Sequence, residues 1–398
     1  MPRFLTLDDL DAKGKRVLVR ADLNVPVKDG RVADKTRIAR LAPTIRELAE
    51  KGARVVVISH FGRPKGAPDP ALSLRPIAQP LSEALGRRHV IFAEDCIGPK
   101  AKAVVDGLKA GEIALLENLR FHKEEEENDK GFAKDLASLA DVYVDDAFSC
   151  AHRAHASVAA VAALLPAYAG RLMEAELKAL SAALEHPQHP VAAIVGGAKV
   201  STKLAMLHFL VAKVQFLIIG GAMANTLLLA EGYGVGKSLV ERDLIDAARE
   251  LRGKADKAGC ELILPVDAVT AKELKAGVAV ETVAIGKVPE DAMILDIGPQ
   301  TTSLIASKLA TCRTLVWNGP VGAFEIKPFD QGTVTIARLV AELTQSRRLL
   351  SVAGGGDTVA ALAAAGVTEK LTYVSAAGGA FLEWLEGSEL PGIKALKR

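Results

Sequence analysis

Arginine and histidine gather just after short apolar runs in the first half of this chain; glycine, lysine and aspartate take the same kind of place in the second half. VRADLNVP (19–26) sets Asp22 and Asn24 behind a strand-like run, and Arg37 follows in the first turns of a helical pattern. SHFGRP (59–64) places His60 and Arg63 about a Gly turn, LLENLRFH (115–122) carries Arg120, and DDAFSCAHRAHAS (145–157) packs His152, Arg153 and His155 together. Each has an ordinary reading alone: an Asx turn, a tight turn, a surface charge. Four such clusters at strand ends make a site for a small, multiply charged acid, because guanidinium forks match carboxylate and phosphate oxygens in pairs.

The second half suggests nucleotide phosphates. GGAKVSTK (196–203), GGAM (220–223) and WNGPVGAFE (317–325) each follow a strand-like run. Lys199 and Lys203 are four apart and share a helix face if the helix begins early. In GGGDTVAALAAAG (354–366), glycines lead through Asp357 and Thr358 into a helix whose N-terminal N–H groups and dipole favour phosphate. Asp357 reads either as that helix's N-cap or as a carboxylate holding Mg²⁺ on the nucleotide. EGYGVGKS (231–238) ends like a P-loop, but Glu231 stands where the first Gly is required and a helical pattern precedes it. Glu124–Glu127 reads as a solvated acidic surface. Asp145 and Asp146, adjacent on a strand, point to opposite faces and make no shared-proton pair. Two ligands bearing phosphate, one per half, imply phosphoryl transfer between them. A silent nucleotide-binding scaffold lacks a reason for both anion sites, and a dinucleotide dehydrogenase lacks its G-x-G-x-x-G.

The elements that must position these residues are legible as apolar runs. They include RVLVRAD (16–22), RVVVISH (54–60), IALLEN (113–118), VYVDDAF (142–148), VAAIVGG (191–197), VQFLIIGG (214–221), ELILPVD (261–267), TLVWNGP (314–320) and LLSVAGGG (349–356). Continuous apolar strands alternating with helical patterns predict a doubly wound α/β fold with parallel sheets, whose ligands sit beyond the strands' carboxyl ends. With 398 residues, two domains are expected. RLMEAELKALSAALEH (171–186) reads as one uninterrupted connecting helix, leaving 1–170 and 187–379 as the domains. A net charge of +2 gives no case for nucleic acid or an anionic membrane. The most apolar stretches are broken by Pro166, Gly220, Gly221 and Asn225, so none reads as a membrane span, and the N-terminus lacks a signal peptide's apolar core. Four scattered cysteines without CxxC spacing suit reduced thiols in a cytosolic protein, with Cys150 a bystander beside the basic cluster.

Taken in order, VRADLNVP, SHFGRP, LLENLRFH, AHRAHAS, GGAKVSTK, GGAM, WNGPVGAFE and GGGDT resemble the phosphoglycerate kinases over essentially the whole chain. The resemblance implies two Rossmann-like domains joined by a helical hinge, with 380–398 returning to the first. It implies a 3-phosphoglycerate site from Asp22, Leu23, Asn24, Arg37, His60, Phe61, Gly62, Arg63, Arg120 and Arg153. It implies an ATP/ADP site from Lys203, Gly220, Asn318, Glu325, Gly355, Gly356, Asp357 and Thr358, with Mg²⁺ at Asp357. Arg37 and Lys199 would be catalytic, in a cytoplasmic monomer. Three departures stand out: SAAGGA (375–380) puts Ala376 and Ala377 in place of the family's usual Thr and Gly, Phe61 stands for Leu, and FSCAHR puts Ser149 and Cys150 for Gly and Thr.

Overall fold

The computed structural model describes residues 4–28 and 30–397. The chain divides into two compact units, one running up to Leu177 and resuming at Glu389, the other Lys178–Ser388. Each is built on a six-stranded parallel sheet.

In the first unit the strands are β1 (Arg16–Arg20), β4 (Arg54–Ile58), β5 (Val90–Ala93), β6 (Ile113–Leu116), β7 (Val142–Asp145) and β8 (Ala167–Ala169); a short hairpin, β2 (Val27–Lys28) with β3 (Arg31–Val32), lies between β1 and β4 in sequence. The sheet order is β5-β6-β4-β1-β7-β8, all parallel. Alternation along the strands fills two cores. Val17, Val19, Val55 and Val57 pack with Ile38, Leu41 and Ile45 of the helix Thr36–Glu50. Leu18, Val56 and Ile58 pack on the opposite face with Ala101, Val105 and Leu136.

In the second unit the sheet is β9 (Val191–Val195), β10 (Phe216–Ile219), β11 (Glu261–Ile263), β15 (Thr314–Asn318), β16 (Leu350–Ala353) and β17 (Tyr373–Val374), in the order β11-β10-β9-β15-β16-β17. That is the doubly wound arrangement, with its switch point between β9 and β15. An antiparallel sheet, β13 (Glu281–Ala284), β12 (Asp267–Ala271) and β14 (Met293–Ile297), accompanies it, and the apolar runs give no sign of it. The run ELILPVD is not one strand: β11 stops at Ile263, and β12 starts at Asp267, whose carboxylate receives the N–H groups of Gln300 and Thr301 at the start of the helix Pro299–Leu309.

The segment 171–186 is an α-helix, Arg171–Leu180, continued by a π-helical turn, Ser181–Glu185. Asp146 Oδ1 starts it by accepting from Leu172 N at 2.8 Å and Met173 N at 3.1 Å. The units part inside this helix, after Leu177. The chain returns to the first unit at Glu389 rather than at 380, because the helix Gly378–Leu385 belongs to the second unit, where Phe381 packs against Gly354 and Gly387 against Phe209. From Glu389 the helix Pro391–Leu396 docks on the first unit, with Gly392 N bonded to Ala151 O at 2.8 Å.

Candidate functional site

In the first unit the carboxyl ends of β1, β4, β6 and β7 carry the basic clusters. Asp22 forms the expected Asx turn, its Oδ1 accepting from Asn24 N at 3.0 Å. Its Oδ2 accepts from Arg37 Nη1 at 2.7 Å and from Ser149 Oγ at 2.5 Å. Asp34 accepts from both Thr36 N and Thr36 Oγ1, starting the helix so that Arg37 falls in its first turn. Arg37 Nη1 also bonds the Asn24 carbonyl at 3.0 Å, and Asn24 Oδ1 receives Gly62 N at 3.0 Å. Arg120 donates from Nη1 to Gly62 O at 2.7 Å, and its Nε lies 3.1 Å from Glu126 without the alignment of a hydrogen bond. Arg153 Nε donates to His152 Nε2 at 3.1 Å, whereas Arg63 is exposed with no protein partner among the described residues.

Leu23 and Phe61 point into the apolar core, with their N–H groups bonded to Ser59 Oγ and Asn118 Oδ1. They scaffold the cluster rather than line it. Burial, then Arg20, Arg120 and Arg153, pushes His60 well below its ordinary range. Burial and Arg120 bring His155 down to about 4. Both imidazoles are therefore neutral at neutral pH, and the arginines carry the positive charge. Asp22, His60 and Cys150 also converge within 4.8 Å, a donor set for a soft metal, but Arg37 and Ser149 occupy Asp22 Oδ2 and Arg20 occupies His60 Nδ1.

The acidic tract is not uniformly solvated. The 3₁₀ turn Lys123–Glu125 turns Glu125 inward, where it is fully buried and accepts from Ser157 N and Oγ. Burial pushes its carboxyl up, while Arg20 and the Ser157 bonds pull it back. Asp145 and Asp146 are both buried, pushed up to about 6 and about 7 by desolvation, and each bonds a different stretch of backbone.

In the second unit, loops after β9, β15 and β16 are stitched together. Lys203 Nζ donates to Gly196 O at 2.5 Å and to Asn318 Oδ1 at 2.6 Å. Asn318 Nδ2 donates to Gly354 O at 2.8 Å. Thr358 Oγ1 donates to the same carbonyl at 2.8 Å and accepts Gly319 N at 2.7 Å. A Cβ at Gly196 would collide with the Pro320 carbonyl, so only glycine lets these loops meet. Burial brings Lys203 down to about 8, opposed by Asp357.

The helix Leu204–Val211 starts after Lys203, so Lys199 and Lys203 do not share a helix face. The turn between them leaves Lys199 exposed and Lys203 half-buried. The helix Gly356–Ala364 begins from Gly355, at φ 96°, and Asp357 is its second residue. Asp357 therefore does not cap. Its exposed carboxylate makes no hydrogen bond or ion pair to the described residues. With Glu325 it lines a cavity of about 340 Å³ whose wall includes Gly197, Gly221, Pro320 and Val321; Gly220 is packed behind, against Val321. Asp296, pushed up to about 7 by burial and bonded to Gly332 N at 2.8 Å, also borders it. EGYGVGKS follows the helix Ala222–Ala230, not a strand, in keeping with its rejection as a P-loop.

The phosphoglycerate kinase family model matches residues 7–388. The chain belongs to the phosphoglycerate kinase family. The phosphoglycerate kinase of Granulibacter bethesdensis is 62% identical over 394 residues, 99% of each chain, and that of Rhodospirillum centenum 59% over 393 residues, again 99% of each. Among solved structures, the phosphoglycerate kinase of Coxiella burnetii matches with a TM-score of 0.92 at 44% identity, covering 99% of both chains. That of Pyrococcus horikoshii matches at 0.80 and 33% identity, covering 98% of both. The activity is the phosphoglycerate kinase reaction of glycolysis: reversible phosphoryl transfer between ATP and the carboxylate of 3-phosphoglycerate, giving 1,3-bisphosphoglycerate and ADP. The motifs of the sequence do not single out Arg20 or Ser157, and Glu125 is buried where its acidic run reads as solvated. Arg20 leaves a signal, an arginine inside an apolar strand, which demands a buried partner. Ser157 and Glu125 leave none, since their pairing is purely tertiary.

Proposed function

We propose that the basic cluster of the first unit holds 3-phosphoglycerate and the glycine-lined loops of the second hold MgATP or MgADP. The observation that carries this reading is a matched set of unengaged charges on locked loops. Arg37 spends Nη1 on Asp22 and Asn24 and leaves Nη2 and Nε without protein partners among the described residues. Arg63, Lys199 and Asp357 are exposed, and their side chains make no hydrogen bond or ion pair to the described residues.

In this reading Asp22, Asn24, His60, Arg63, Arg120 and Arg153 bind and orient the acid, with Leu23, Phe61 and Gly62 shaping the loops. Lys203, Asn318 and Thr358 hold the nucleotide loops, with Gly220 behind them, and the main chain at Gly355 and Gly356 takes phosphate at a helix N-terminus. Glu325, on the wall of the same cavity, offers a carboxylate to a ribose hydroxyl. Asp357 fits Mg²⁺, being an exposed oxygen donor with no hydrogen bond or ion pair to the described residues, on the lining of the cavity. When bound, the ion neutralises charge on the phosphates.

The acceptor carboxylate has a pKa of about 3.5 and is ionised at neutral pH, so no general base is required. Arg37 and Lys199 serve the phosphoryl group in flight, by alignment and charge. Closure of the units about the connecting helix would exclude water from the transfer. Both anion sites lie on one chain, which suits a monomer, and four unpaired cysteines suit the cytoplasm. A coupled assay with 3-phosphoglycerate and MgATP, each component omitted in turn, tests the assignment. Activity should need all three and collapse in Arg37→Ala and Lys199→Ala; full activity in either variant would refute that residue's catalytic role.

A further inference from the structure

A line of buried polar groups runs beneath the basic cluster and ends at His60; Glu125, Ser157 and Arg20, behind it, have no part in the reading above. Glu125 and Ser157 are fully enclosed, Arg20 is 1% exposed and His60 7%. Glu125 Oε1 accepts from Ser157 Oγ at 2.6 Å and Oε2 from Ser157 N at 2.9 Å. Ser157 Oγ, its proton given to Glu125, accepts from Arg20 Nε at 2.8 Å. Arg20 Nη2 reaches His60 Nδ1 at 3.2 Å, while Nη1 bonds the Ala21 carbonyl. The Tyr143 hydroxyl donates to Ser157 O at 2.8 Å and fixes the backbone there.

The inventory of donors gives every link one direction. A guanidinium can only donate, so His60 Nδ1 must accept, and a neutral ring then carries its proton on Nε2. Nε2 has no hydrogen-bond partner among the described residues. The line therefore ends in a single N–H available to a ligand. A buried carboxylate under arginines is costly unless it is bonded, and Glu125 uses both oxygens.

We propose that Glu125 and Ser157 are positioning residues for the acidic substrate: through Arg20 they lock His60 as the Nε2–H tautomer, a fixed neutral donor to a carboxylate or phosphate oxygen. The proposal rests on the reading of this cluster as the 3-phosphoglycerate site. Ser157→Ala removes the link between Glu125 and Arg20 with little change of volume. It should raise KM for 3-phosphoglycerate about tenfold, the scale of one lost bond to a charged group, and leave KM for MgATP within about twofold. The ¹⁵N spectrum of His60 should show protonated Nδ1, absent in the parent protein. A purely structural role would lower Tm and move neither readout.

An unchanged KM for 3-phosphoglycerate, or an unchanged His60 spectrum, overturns the proposal. If Ser157→Ala does not fold, Glu125→Gln, which keeps the shape and removes the charge, is read by the same two measures. His60→Ala separates the failures. If it leaves KM for 3-phosphoglycerate unchanged, the site reading is wrong; if it raises KM while the Ser157 variant does not, only the positioning proposal falls.

Discussion

The groups proposed to face a ligand in the first unit are side chains, and most are braced by another group: Arg37 by Asp22, His60 by Arg20, Arg120 by the Gly62 carbonyl. In the second unit they are largely main chain, on loops tied by Lys203, Asn318 and Thr358. Cations crowded for an anion repel one another, so the first site carries Asp22, Glu125 and Glu126 as compensating charges. Backbone N–H groups need no counter-charge, but they need loops close enough to converge, hence the glycines. The first site should respond to changes of charge, and the second to geometry and the few charges left loose on it.

Lys199→Ala tests the loosest of those charges. It should lower kcat about 10²–10³-fold with modest changes in either KM, the scale of one transition-state donor. A loss under about threefold in steady-state assays would remove Lys199 from the reaction. Arg120→Ala should raise KM for 3-phosphoglycerate about 10–100-fold and leave nucleotide binding alone, since one charge-assisted contact is lost. An equal rise in KM for MgATP would contradict the division between units.

Asp357→Asn should raise the Mg²⁺ concentration for half-maximal activity about tenfold, as a hard cation loses a charged ligand. Because Asp357 does not cap its helix, Tm should not move; a clear drop would restore a structural role. Lys203 supplies a pH test. Its amine sits at about 8 in the folded protein, and the phosphates of a bound nucleotide favour the charged form. Binding should therefore take up protons at pH above about 8 and little at lower pH, so MgADP affinity should fall as pH rises through this window. Calorimetry in buffers of different ionisation heat reads the uptake directly, and none at about pH 8.5 would refute it. The smallest effect belongs to Ser149→Gly, the residue more usual in the family. Losing its bond to Asp22 while Arg37 keeps its own should change KM for 3-phosphoglycerate about threefold.

Strand ends are readable because buried parallel strands are continuous apolar runs and ligands gather beyond their carboxyl ends, which is how Asp22, His60, Arg120 and Asn318 come to light. Helix starts are less so. Nothing local distinguishes a helix beginning at Lys199 from one beginning at Leu204, and Asp357 looks like a cap until Gly355 takes that place. Glu125 is misread because charge runs are usually solvated; its burial is satisfied by Ser157, which Arg20 bonds in turn, both far away in sequence. The antiparallel sheet is hidden because Pro265 divides ELILPVD between two sheets.

The proposed reading of the two sites has phosphorus pass directly from one bound ligand to the other. Rapid quenching of the protein with γ-labelled MgATP, with and without 3-phosphoglycerate, tests it most directly. The label should appear in 1,3-bisphosphoglycerate only when the acid is present, with none on the protein and little as free phosphate. Label bound to the chain, or brisk release of phosphate without the acid, would contradict it.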